Sequence, residues 1–161
     1  MSELFDKISS YNIFNNLFPG VVFAVMADKI GYHNFVQQDV LIGVFIYYFI
    51  GLVISRIGSV AIEPVLKRIA FVRYAAYKDY VKASKTDDKI ELLSEVNNMY
   101  RTLCSLFVFL LFLKGYQAIE AWYPVLSEWI QSGMLSLLLV LFLFSYRKQT
   151  TFIANRVSIN L

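Results

Sequence analysis

The sequence predicts an all-α integral membrane protein with four transmembrane helices and a cytoplasmic antiparallel helical hairpin between helices 2 and 3. Hydrophobic residues make up 58% of the 161 residues, against about 45–50% in soluble domains, and they are gathered into long runs. Lys and Arg lie mainly between and after these runs. At this length we expect a single membrane domain.

Three of the apolar runs are long enough to cross a membrane. They cover residues 40–62, 100–121 and 125–146. Each would make a helix of roughly 33 Å, against a hydrocarbon core of about 30 Å. The part of the last run from Met134 to Phe144 contains no charged residue.

The first run, over about residues 12–30, is a weaker candidate span. Its apolar part, Leu17 to Ala27, would make a helix of only roughly 17 Å. It is either a tilted crossing with a polar first turn or a broken or re-entrant helix shielded by its neighbours. We favour the crossing because the charge distribution predicts the N-terminus and the large loop on the same side, which requires two passes before that loop.

The basic residues predict the orientation of the chain. Thirteen of the 15 Lys and Arg lie at the N-terminus, in or beside the loop over residues 63–100, or in the tail over residues 147–161. Only Lys29 and Lys114 lie on the other side. We therefore expect a bacterial inner membrane protein with both termini in the cytoplasm.

The loop over residues 63–100 has the pattern of a helical hairpin. Pro64 suits a first helical position, and apolar residues from Val65 to Ala76 keep one face at helical spacing. The segment Ser84–Asp88 predicts a turn. Beyond it, the apolar seam enters the third span without a Gly or Pro break, so we predict one long helix from about Asp87 to Ala121.

The hairpin is both basic and aromatic. Positive charge attracts phosphates and aromatic rings stack on bases, so an anionic ligand such as a nucleotide is one hypothesis. Attraction to anionic membrane lipid explains the same charge without a ligand. The candidate ligand-binding residues are Lys67, Arg68, Arg73, Tyr77, Lys78, Lys82, Lys85 and Lys89.

The second span carries a ladder of small and hydroxyl residues at four-residue steps. Such a ladder lets helices approach closely in lipid, either within one chain or at a subunit seam or pore face. Arg56 on the same span either snorkels to the interface or forms a basic ring at the inner mouth of an oligomeric pore. The candidate seam or pore residues are Gly43, Tyr47, Gly51, Ser55, Arg56 and Ser59.

Two charged residues near the outer turn form a candidate polar pair. Folding the chain at Pro124 brings Lys114 close to the level of Glu128 on the next helix. An intramembrane charge is a functional hypothesis by default, and a structural tie between helices 3 and 4 is the alternative.

The motifs of an enzyme are missing. His33 is the one histidine in the sequence, so a metal site of the usual composition is not expected. No Gly-rich phosphate loop or nucleophile elbow is present. We therefore expect a protein that is not an enzyme and needs no cofactor or metal.

In length, hydropathy and basic hairpin, the whole chain resembles the small multi-pass membrane effectors of bacterial anti-phage defence systems. It is most similar to the effector of the Hailong system, and its most distinctive string is Asn15-Asn-Leu-Phe-Pro-Gly20 before the first span. None of this is a specific motif, so no functional residue is carried over. The resemblance implies a homo-oligomer, with a tetramer as the expected size, that acts as an ion channel. It also implies a partner nucleotidyltransferase that makes a short DNA-like oligonucleotide, which controls the channel from the cytoplasmic side.

Two classes of function therefore stand as hypotheses. The first is a channel or pore-forming effector gated at the hairpin, and the second is a non-catalytic membrane adaptor that docks a soluble partner there. Four helices cannot enclose a wide aqueous path alone, so the channel requires an oligomer and the adaptor does not.

Overall fold

The computed structural model describes residues 2–32 and 35–160, with side chains described between residues 13 and 159 of these ranges. His33, in the predicted outer loop, lies outside them. All the regular structure in the described residues is helical. The elements are α1 (Ser2–Lys29), α2 (Val40–Ile57), a π-helical segment (Gly58–Ile62), α3 (Glu63–Arg68), α4 (Tyr77–Ala83), α5 (Lys89–Glu120) and α6 (Leu126–Asn160).

Three helical stretches are long and apolar enough to cross a membrane, which is consistent with a membrane protein. They are Val40–Arg68, Lys89–Glu120 and Leu126–Ile159. α1 is not among them, although it is a continuous helix of 28 residues with Pro19 inside it. The structure therefore does not contain the broken form of the first run, while its crossing of the membrane stays a prediction.

α1 and α2 cross in direct backbone contact. A methyl group on Gly20 would overlap the carbonyl oxygen of Tyr47, and one on Gly51 would overlap the carbonyl oxygen of Asn16. Glycine is needed at both positions because only hydrogen fits between the two backbones. Gly51 thus lies at a contact between two helices of the same chain. This is the first of the two alternatives for the small-residue ladder, the other being a subunit seam or pore face.

The core lies where α1, α2 and α5 meet. Its buried side chains are Phe23, Ala27, Ile54, Leu106, Leu110 and Leu113. Ser105 is fully buried beside them and donates a hydrogen bond of 2.9 Å to the Ile54 carbonyl. This bond satisfies a hydroxyl that would be costly to bury alone, and it fixes α5 against α2.

The antiparallel hairpin is not confirmed, although two of its predicted parts are present. The long second arm predicted over residues 87–121 is confirmed as α5, and the turn over residues 84–88 is also present. The first arm is interrupted, because the chain leaves the helix after Arg68 and stays non-helical until α4. Ala70 has a positive φ of 57° in this break.

Pro64 lies in the first turn of α3, as its position in the sequence indicates, but the chain before it is already helical. The backbone runs from α2 through the π-helical segment into α3 in helical conformation. A proline inside a helix lacks an N–H, and its ring clashes with the carbonyl four residues earlier. The π-helical segment ends two residues before Pro64, and the Glu63 N–H bonds to the Gly58 carbonyl, five residues earlier.

α6 does not pack along α5. It packs on α2 and the π-helical segment instead, for example through the rings of Phe49 and Phe142, whose centroids are 6.4 Å apart. The predicted pair is consequently not formed: Lys114 and Glu128 are both exposed, and no ion pair joins them among the described residues. Their contact would require the two helices to lie side by side.

Candidate functional site

A cavity of about 620 Å³, lined by charged, polar and aromatic side chains, opens at the end of the bundle where α3 ends, α5 begins and α6 ends, here called the basic end. Residues of all six α-helices and of the π-helical segment line it, together with the segment before α4. Its charged lining residues are Arg56, Glu63, Lys67, Glu95, Arg101 and Lys148. Four cations and two carboxylates give this wall a net positive charge.

Glu63 is the centre of this charge cluster. Its side chain is buried, at 6% exposure for the residue, and both oxygens are bonded. Oε1 accepts from Lys67 Nζ at 2.7 Å, and Oε2 accepts from Arg101 Nη1 at 2.7 Å and from Lys148 Nζ at 3.4 Å. A buried carboxylate is tolerated when it is paired in this way.

Lys148 connects α6 to the π-helical segment. Its ammonium group donates to the Ser59 carbonyl at 2.7 Å and to the Ser59 hydroxyl at 2.9 Å. This carbonyl has neither of its usual helical donors. The N–H of Glu63 bonds to the Gly58 carbonyl instead, and Pro64 has no N–H. Lys148 therefore satisfies an acceptor that the π turn and the proline leave unpaired.

Two buried polar atoms at the cavity have no hydrogen-bond partner among the described residues. They are Asn15 Oδ1 and Arg101 Nε, and both residues line the cavity. Buried polar groups are nearly always satisfied in folded proteins. Both atoms are themselves shielded from solvent, so a bound molecule would reach them only after the side chains turn toward the cavity.

An aromatic cluster forms the wall beside these charges. The rings of Tyr77 and Tyr80 stack with centroids 6.5 Å apart, and Tyr77 lies 5.7 Å from Phe152 of α6. Lys67 Nζ lies 3.9 Å from the centroid of the Tyr74 ring, within cation–π range. The cavity therefore combines positive charge with flat aromatic surface.

The structure divides the predicted ligand-binding residues into two groups. Lys67 and Tyr77 line the cavity. The others are exposed and do not line it: Arg68, Arg73, Lys78, Lys82, Lys85 and Lys89. The break after Arg68 explains this division, because the residues before Tyr77 no longer continue one helical face.

The predicted seam residues are divided in a similar way. Ser55, Arg56 and Ser59 line the cavity, whereas Gly43 and Tyr47 lie at the opposite end of α2. A methyl group on Gly43 would lie 3.2 Å from the Tyr47 ring, and the Tyr47 hydroxyl accepts from the Gln37 N–H at 2.9 Å. Arg56 is half-buried at the cavity wall.

Three residues of the cluster carried no individual prediction. Glu63, Arg101 and Lys148 come from three separate helices, so no local pattern joins them. One signal was present in the sequence, because Glu63 is the only acidic residue between Asp39 and Asp79. A lone carboxylate at the end of an apolar run needs a cationic partner.

The described residues contain no group of His, Cys, Asp and Glu that could hold a metal ion. Comparison with known proteins adds no assignment: no family model, no curated protein and no solved structure matches this chain.

Proposed function

We propose that this chain is the subunit of an oligomeric ion channel in a bacterial inner membrane, controlled by an anionic, nucleotide-like ligand at the basic end. The observation that carries the proposal is the cavity, in which Lys67, Arg101 and Lys148 lie beside the Tyr77 and Phe152 rings. Cations suit phosphates and aromatic rings suit bases. On the predicted orientation, this cavity faces the cytoplasm.

The exposed apolar surface of α6 supports an oligomer. In the most apolar 18-residue stretch of this helix no residue is buried. Leu135, Leu137 and Leu139 are each more than 60% exposed. Such a surface faces lipid or another subunit. A ring of subunits would also gather the basic ends, so their electrostatic fields would add at the mouth of the pore. A role as an anti-phage effector rests on the resemblance of the chain as a whole.

The proposal is tested with purified protein in liposomes. The probes are inorganic tripolyphosphate and a mixed-sequence tetranucleotide of single-stranded DNA, and the measurements are binding and ion flux. We expect the probes to bind and change the flux, and Lys148→Gln to weaken binding by about tenfold, as expected for one charged contact. The matched control is Lys78→Gln, which removes the same charge from α4 outside the cavity.

The surface residues give a second comparison. If the triple variant Arg73→Gln, Lys78→Gln, Lys82→Gln loses binding while Lys148→Gln keeps it, the ligand binds to the exposed arm and not to the cavity. If the purified protein passes no ions with or without either probe, the channel is refuted.

The alternative is a membrane adaptor that docks a soluble partner. The observation that favours it is the segment after α3, where Ile69 and Phe71 are 65% and 76% exposed between the exposed Arg68 and Arg73. Exposed apolar side chains beside basic ones are typical of a docking surface. A monomeric mass in detergent, together with the absence of ion flux, would support the adaptor.

A further inference from the structure

We infer that Glu63 is an internal competitor for the anionic ligand: its carboxylate holds the place among Lys67, Arg101 and Lys148 that the ligand's phosphate would take. This inference rests on the proposed ligand site and adds a mechanism of regulation to it. Ligand binding then becomes an exchange of one anion for another at the same cations.

The geometry of Glu63 matches that of a bound anion. Its two oxygens accept from three cationic side chains on α3, α5 and α6. A phosphate presents the same kind of oxygen acceptors to arginine and lysine. The carboxylate therefore occupies the position where these three cations converge.

The cations keep donor capacity for a second anion. The side chain of Lys67 is 44% exposed, and Arg101 Nε, which is buried and unpartnered among the described residues, would gain a partner if its side chain turned toward an anion. Lys148 is 3.4 Å from Glu63 but 2.7 Å from the Ser59 carbonyl. Its contact with the carboxylate is thus the longest of the three and the easiest to exchange.

A phosphate and Glu63 would not share these cations without a cost. Two anions within a few ångströms repel each other, and a half-buried site screens that repulsion less than water does. An arriving phosphate would therefore weaken the contact of the carboxylate with Arg101 and Lys148. Because Lys148 belongs to α6, the exchange also changes the connection between α6 and α3.

The test compares two substitutions that remove the same charge from the same cavity. Glu63→Gln removes the competitor, whereas Glu95→Gln removes a half-buried carboxylate that forms no ion pair among the described residues. The probes are inorganic tripolyphosphate and the mixed-sequence tetranucleotide. We expect Glu63→Gln to tighten binding by about tenfold and Glu95→Gln by no more than about threefold, because only Glu63 contacts the cations directly.

Glu63→Asp gives a second measurement if Glu63→Gln does not fold. The shorter side chain keeps the charge but loosens the contacts, so we expect tighter binding than in the wild type. Equal gains in Glu63→Gln and Glu95→Gln, or weaker binding in both Glu63 variants, would overturn the competitor while leaving the ligand site in place. If the probes bind to the Glu63 variants but not to the wild type or to Glu95→Gln, the competitor is supported. No binding in any variant would refute both the ligand site and the competitor.

Discussion

The ammonium group of Lys148 lies 2.7 Å from the backbone carbonyl of Ser59, and this bond connects the last long helix to the π-helical segment. The bond has a cause in the sequence. Pro64 has no N–H, and the N–H of Glu63 bonds to the Gly58 carbonyl, so the Ser59 carbonyl needs a donor from elsewhere. The π-helical segment and Pro64 thus leave one carbonyl unpaired, and Lys148 of α6 is positioned by its bond to that carbonyl.

Replacing Lys148 by methionine should destabilise the protein by about 2 kcal/mol, because a buried carbonyl and a buried carboxylate both lose a donor. The measurement is the free energy of unfolding in detergent, with Arg147→Met as the control at the adjacent exposed position. Equal effects of the two substitutions would mean that the contact with Ser59 contributes nothing to stability.

Replacing Gly51 by alanine should also destabilise the fold, by about 1–3 kcal/mol, since the added methyl group overlaps the Asn16 carbonyl. Gly115→Ala is the control because a methyl group there meets no atom within 4 Å. It should leave the stability unchanged or raise it by up to about 1 kcal/mol, as alanine favours helix. Both are measured as thermal unfolding. A loss of oligomer mass in Gly51→Ala without loss of stability would instead place Gly51 at a subunit seam.

The sequence predicted elements that depend on local pattern and missed the site that depends on packing. α5 was predicted because its apolar seam continues from the turn over residues 84–88 into the apolar run. To predict the cluster around Glu63, one would need two structural features that the sequence pattern does not show. The helix passes through Pro64 with a π turn, and α6 packs on α2 rather than on α5. The same packing separated Lys114 from Glu128.

Reporter fusions at the N-terminus will decide whether α1 crosses the membrane. With four passes, a fusion before Ser2 and one after Leu161 should report the same side. With only the three spans that meet the length and composition of a membrane helix, they should report opposite sides. We expect the same side because four passes also place Lys7 in the cytoplasm, so that 13 of the 15 basic residues are cytoplasmic against 12 with three passes. A fusion between Lys29 and Val40 serves as the outer reference under both arrangements.

The last prediction places α6 at the contact between subunits. Leu135, Leu139 and Leu143 lie four residues apart and are 66%, 63% and 58% exposed, so they form one apolar stripe that the chain itself leaves uncovered. A channel built from this chain must be an oligomer, since one subunit cannot enclose a wide path for ions, and this stripe is the surface that we expect a neighbour to cover.

Single cysteines at these three positions, in a Cys104→Ser background, should form disulfide-linked dimers in membranes treated with a mild oxidant. Phe45→Cys on α2 is the control at a comparably exposed apolar position, 68% exposed, and should link less. Linking only at Phe45 would move the subunit contact to α2. An oligomeric mass without linking at any α6 position would mean that the stripes of two neighbours do not face each other, and a monomeric mass would exclude the channel itself.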